Sequence, residues 1–135
     1  MKKTKFIFAT FAIVLLLAFT AGEAKAQMCT YTLTNNVDCE ISYEITFGLP
    51  CPPQAPLAGT LCPGPGHPTC PNNSVTFQAD CNCPVIIKLK DRLGNVLITV
   101  SNDPSTGYPS GGSFTNPNCN VGSNISLNGN NWVIN

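Results

Sequence analysis

The chain has 135 residues, with seven basic and seven acidic side chains, one histidine and eight cysteines. Four of the basic residues fall before position 27, so the remainder sets Lys88, Lys90 and Arg92 against six acids, a net charge of −3. So sparse and slightly acidic a surface does not attract phosphate backbones or anionic lipid, which argues against nucleic acid and membrane as partners.

Lys2, Lys3 and Lys5 open the chain, an apolar run follows over 6–20, and Ala24-Lys25-Ala26 places small residues at −3 and −1 of a cleavage site. This three-part layout is that of a secretory signal peptide over 1–26, cut between Ala26 and Gln27. The run is short for a membrane span of about 20 residues. Cys29 follows Gln27-Met28 rather than small residues, which argues against a lipid anchor. The expectation is a single secreted domain over 27–135, extracellular, periplasmic or on the cell surface. It has no second long apolar segment and no membrane association after cleavage.

All eight cysteines, Cys29, Cys39, Cys51, Cys62, Cys70, Cys81, Cys83 and Cys119, lie beyond that site. An even number in an exported chain reads as a disulfide framework whose pairing sequence alone leaves open. Cys62 and Cys70 are the favoured pair, because a bridge there closes the intervening Pro/Gly stretch on itself.

The first element, over 28–34, sets Cys29, Tyr31 and Leu33 on one face and threonines on the other. Asn35-Asn36-Val37-Asp38 is a run of turn formers. It leads to the clearest strand, 39–47, in which Cys, Ile, Tyr, Ile and Phe alternate with Glu, Ser, Glu and Thr. Successive strand side chains point to opposite faces, so one ribbon meets a core and the other meets water. These two strands either pair as a hairpin or lie in opposite sheets.

Eight of the twelve prolines fall in 48–73, with Cys51, Cys62 and Cys70 among them. Proline donates no backbone hydrogen bond, so this stretch is expected to be a long cross-linked loop. Alternation resumes over 74–79 with Val75, Phe77 and Ala79 facing inward. A hairpin follows, with Val85, Ile87 and Leu89 on one arm and Val96, Ile98 and Val100 on the other, all facing the core. A four-residue loop aligns Leu89 with Val96; a two-residue turn at Leu93-Gly94 shifts that register by two.

A second polar loop is expected over 101–123, carrying Tyr108, Phe114 and Cys119. The chain then closes on a hairpin. A turn at Gly129-Asn130 sets Leu127 against Trp132 and Ile125 against Ile134, burying more apolar surface than one at Asn128-Gly129. About seven one-sided strands and no amphipathic helix predict an all-β, disulfide-braced antiparallel β-sandwich, with a small β-barrel as the alternative. It resembles the immunoglobulin layout in strand count and patterning only. Trp132 follows the last cysteine, so the cysteine–tryptophan–cysteine signature is absent and no functional residues carry over.

Catalytic chemistry lacks parts. His67, the lone histidine, sits in the Pro/Gly loop, away from any evident nucleophile. Cys51, Cys62, His67 and Cys70 are plausible zinc ligands by type, but an oxidising compartment favours their bridging. Cys81-Asn82-Cys83 reads either as a redox pair or as two structural bridges leaving one turn. Glu40 and Glu44, four residues apart on a strand, stand about 13 Å apart, too far for a glycosidase pair. Asn72-Asn73-Ser74 and Asn124-Ile125-Ser126 match the N-glycosylation pattern.

The expectation is therefore a non-enzymatic protein without cofactor or metal. It would act as an extracellular structural component or recognise an extracellular protein or glycan through its long loops. Tyr108 is the candidate ligand contact, since Tyr31, Tyr43 and Trp132 stand on apolar faces. A protease inhibitor or carbohydrate-binding module is the alternative, and a small hydrolase or redox protein a more remote one.

Overall fold

A computed structural model describes residues 26–64, 69–70, 72–119 and 121–135. Nine strands follow one another: β1 (Met28–Asn35), β2 (Ile41–Phe47), β3 (Leu57–Leu61), β4 (Ser74–Asp80), β5 (Val85–Lys90), β6 (Val96–Ser101), β7 (Gly112–Asn116), β8 (Val121–Asn128) and β9 (Asn131–Ile134). They form a five-stranded sheet, β4-β1-β9-β8-β7, and a four-stranded sheet, β3-β2-β5-β6. Every ladder is antiparallel except β1 with β9. Both sheets have free edges, so the domain is a β-sandwich and not a closed barrel.

Each sheet buries one face because its strands alternate. Tyr31, Leu33, Phe77, Ile125, Trp132 and Ile134 meet Ile41, Ile45, Leu61, Ile87, Leu89 and Val100 in a single core. Trp132 is fully buried, and Tyr31 lies between it and Phe77 with ring centroids 5.9 and 5.5 Å away. Burying side chains of this size contributes about 1.5–3 kcal/mol each. Burial also raises the Tyr31 phenol above its ordinary range, while Asn102 Nδ2 donates to its oxygen at 3.4 Å.

The structure corrects four expectations. The stretch 48–73 is not one loop, because Leu57–Leu61 pairs with β2 as an edge strand. Its prolines lie outside the five paired residues, where a missing donor does no harm. The stretch 101–123 is likewise divided by β7, and it opens with a 3-10 turn, Pro104–Thr106. These pieces raise the strand count to nine. Finally, Val96 is exposed, not in the core: a register irregularity at Leu89/Lys90 sets Val96 opposite Lys90. Beyond it Leu89 pairs with Ile98 and Ile87 with Val100, the register of the shorter turn.

Two open choices are also resolved. The elements β1 and β2 lie in opposite sheets, each with other partners. The terminal hairpin sets Leu127 against Trp132 and Ile125 against Ile134, with Gly129 at φ 60° supplying the left-handed turn residue.

Odd-numbered strands run from a lower to an upper end and even-numbered strands run back. The chain therefore crosses between sheets four times, at β1–β2, β3–β4, β4–β5 and β6–β7. Three crossings carry cysteines. Cys39 reaches Cys119 in the β7–β8 turn, Cys62 joins Cys70, and Cys81 and Cys83 bridge to Cys29 and Cys51. The fourth is held by polar groups: Val85 N donates to Asn102 Oδ1 at 2.7 Å, and Ser101 N to Pro109 O at 2.9 Å.

The bridges differ in what they restrain. Cys62 and Cys70 are 8 positions apart and Cys39 and Cys119 are 80 apart; chain entropy assigns them about 2.5 and about 4.5 kcal/mol. Removing the Cys39–Cys119 pair by double alanine substitution should therefore lower the urea midpoint more than removing Cys62–Cys70. Equal losses in denaturant titrations would contradict this ranking.

Candidate functional site: the cleft at the upper loop end

Asn35 ends β1 in register with Tyr31 and Leu33, so its side chain points inward and is fully buried. Its amide donates to Cys39 O at 2.7 Å and Cys62 O at 2.8 Å, while Oδ1 accepts from Val37 N at 3.2 Å. One side chain thus ties two of the crossings together. Its backbone adds two more ties: Asn35 N donates to Asn73 O at 2.8 Å, and Asn73 Nδ2 donates to Asn35 O at 3.1 Å. Gly64 N meets Val37 O at 2.8 Å; a Cβ at Gly64 would stand 2.8 Å from Asn36 O, so the approach requires glycine.

The second wall is built by Asn116, buried at the end of β7. Its amide donates to Cys39 Sγ at 3.2 Å, and its Oδ1 accepts from Asn118 N at 3.1 Å. Between these walls lies a cleft of about 470 Å³, lined by Asp38, Glu40, Pro63, Thr69, Arg92 and Asn118, with Cys39, Cys70 and Cys119 also on its surface. Arg92 Nε stands 3.4 Å from Glu40 Oε1, and both side chains remain substantially exposed. An exposed pair of this kind contributes little to stability, so its charges are available to a ligand.

Arg92 is presented by a turn built on a second inward polar residue. Asp91 continues the register of Val85, Ile87 and Leu89 and is buried. Its carboxylate accepts from Leu93 N at 2.9 Å, Asn95 N at 2.8 Å and Asn95 Nδ2 at 2.8 Å. The Asn95 amide, with these backbone donors, holds the Asp91 carboxyl below its usual range. On the exterior of the four-stranded sheet, Lys90 and Lys88 flank Glu44 and lower its carboxyl in that order of effect.

The residues singled out from sequence are dispersed. Tyr108 is 42% exposed but lies in the β6–β7 connection at the lower end, outside the cleft. Cys51 is bonded to Cys83 at that same lower end, remote from Cys62 and Cys70. His67 lies outside the described residues, as does nearly all of the expected leader. Cys81 and Cys83 belong to separate bridges. Glu40 and Glu44 each face a basic partner, Arg92 and the lysines. The residues that organise the cleft, Asn35, Asn116 and Asp91, were not anticipated. Their signal was parity, a polar residue in the inward register of an apolar strand. Compared with protein-family models, curated proteins and solved structures, the chain matches none.

Lowered carboxyls fix the sign of the acid response. Glu44, Asp91 and Asp103 all titrate below their ordinary values, Asp103 because Ser105 N donates to it. Their contribution is intact above the unfolded carboxyl range, and falls as pH drops through the folded values. Melting temperature should be level above about pH 5 and decline below about pH 4. Asp91→Asn should flatten part of that decline. A melting temperature that rises on acidification would contradict the assignment.

Proposed function

We propose that this chain is an exported, non-enzymatic recognition domain, with an immunoglobulin-like general layout, that presents the upper cleft to an extracellular protein or glycan. The observation that carries the reading is the construction of the cleft: both walls are held by buried amides and two disulfides before any ligand arrives. Binding to prearranged walls forfeits little conformational entropy. The four bridges suit an oxidising compartment. The basic, apolar and Ala-x-Ala pattern of 1–26 supports export as its route there.

The cleft offers one guanidinium, two carboxylates and an amide around a cystine floor. That set recognises a partner carrying both charge signs or many hydroxyls. Among the described residues it contains neither a histidine nor a free thiol. An inhibitor acting through 48–73 has less support, since β3 divides that stretch between opposite ends of the sandwich.

The test has two parts. Intact mass of the exported protein should show a chain starting at Gln27 and about 8 Da below its reduced mass, the loss expected of four bridges. That protein, screened on arrays of secreted proteins and glycans, should retain a ligand unmodified, with affinity about tenfold lower for Arg92→Glu. Turnover of the ligand, or binding indifferent to Arg92→Glu and to Asn118→Trp, would overturn the proposal.

A further inference from the structure

The two exteriors of the sandwich differ in charge. The exterior of the four-stranded sheet carries Glu44, Lys88 and Lys90. On all five strands of the other sheet the only charged residue is Asp80, the last of β4, and its carboxylate is turned into the following turn, accepting from Asn82 N at 2.9 Å and Asn82 Nδ2 at 3.2 Å. What faces outward there is neutral and mostly hydrogen-bonding: Thr30, Thr32 and Thr34 on β1, Thr76 and Gln78 on β4, and Asn124 on β8, with Met28 and Val133 as apolar exceptions.

These groups are arranged in rows. Thr30 lies beside Gln78, Thr32 beside Thr76, and Thr32 also beside Asn131 of β9. The rows repeat about every 6.8 Å along a strand and about 4.8 Å between strands. Among the described residues, Thr34 is the only one of those six whose side chain is engaged with another protein group, Ser74 Oγ at 3.3 Å. Toward the β7 edge the face sinks into a shallow groove of about 380 Å³, lined by Ser113, Thr115, Asn124 and Asn135 among others. Gly122 leaves that groove open, with nothing within 4 Å of where a Cβ would stand.

We propose that this exterior is a second binding surface, separate from the upper cleft, and that its ligand is a neutral polysaccharide. Charge complementarity selects the ligand. An uncharged face gives no counter-ion to an anionic or cationic polymer, while hydroxyls and amides exchange water for sugar hydroxyls at small net cost or gain per bond. Such contacts are weak singly, so a repeating polymer that engages several rows at once is favoured over a free monosaccharide. The aromatic rings of these strands, Tyr31, Phe77, Phe114 and Trp132, all point into the core. Recognition therefore rests on hydrogen bonding across the rows and not on ring stacking.

Co-sedimentation of the disulfide-bonded protein with insoluble cellulose, chitin and starch tests the proposal, with alginate and heparin as charged counterparts. At least one neutral polymer should retain the protein equally at low and high salt. Thr32→Lys and Thr76→Lys, tested separately, should each weaken retention about tenfold. Thr76 lies on an edge strand, where lysine is well tolerated. Lys88→Ala on the opposite face and Arg92→Glu in the cleft should leave retention unchanged, which separates this surface from the cleft. Failure of every neutral polymer to retain the protein would overturn the proposal. So would capture only by charged polymers in a salt-sensitive manner, or retention unaffected in folded Thr32→Lys and Thr76→Lys.

Discussion

A chain that alternates between two sheets must carry its polar backbone across the ends of the core, and each crossing is a place where the sandwich could open. Here every disulfide has at least one cysteine in a crossing. Cys81 and Cys83 show the principle in three residues. The chain leaves the five-stranded sheet at Asp80 and enters the other at Val85; Cys81 is tied back to β1 and Cys83 to the segment after β2. The crossing is thereby fixed to both layers. Reactive chemistry and structural bracing both draw on a Cys-x-Cys spacing, and this geometry uses it for bracing.

Buried amides complete what the bridges begin. Asn35 and Asn116 are each placed inward by strand parity, and each finds partners only where two connections converge. A buried amide with its bonds made is tolerable, whereas the same amide without them costs about 1–3 kcal/mol for each unpaired group. The upper end is consequently specified as well as stabilised. This links folding to the proposed function, because the groups that close the loops are the groups that shape the cleft. The opposing exteriors differ in charge, one with the Glu44 cluster and one almost entirely neutral.

Most of the fold was legible because strand alternation is a local property. The inward sets Tyr31–Leu33, Ile41–Ile45, Phe77–Ala79 and Val85–Leu89 could be read from parity alone, and the terminal hairpin from the gain in matching Leu127 with Trp132. The edge strands were harder. Leu57–Leu61 is short, flanked by prolines and exposed along much of its length, so its alternation is faint. Gly112–Asn116 buries just Phe114 and Asn116, and an inward asparagine hides the pattern. Missing these two strands made two long loops out of four shorter connections. Tyr108 falls in the β6–β7 connection, away from the upper cleft. The cleft itself depends on residues far apart in sequence, Asp38, Pro63, Arg92 and Asn118, which only the topology brings together.

The most direct test of this account is the disulfide map of the unreduced protein, obtained by proteolysis at low pH and mass spectrometry of the linked peptides. Cleavage between Cys81 and Cys83 should give Cys29 linked to Cys81, Cys51 to Cys83, Cys39 to Cys119 and Cys62 to Cys70. That pattern would establish that the crossings are the braced elements and that the upper cleft is closed on both sides. Partners exchanged between Cys81 and Cys83, a Cys81–Cys83 bond, or Cys39 joined to any cysteine other than Cys119 would contradict it.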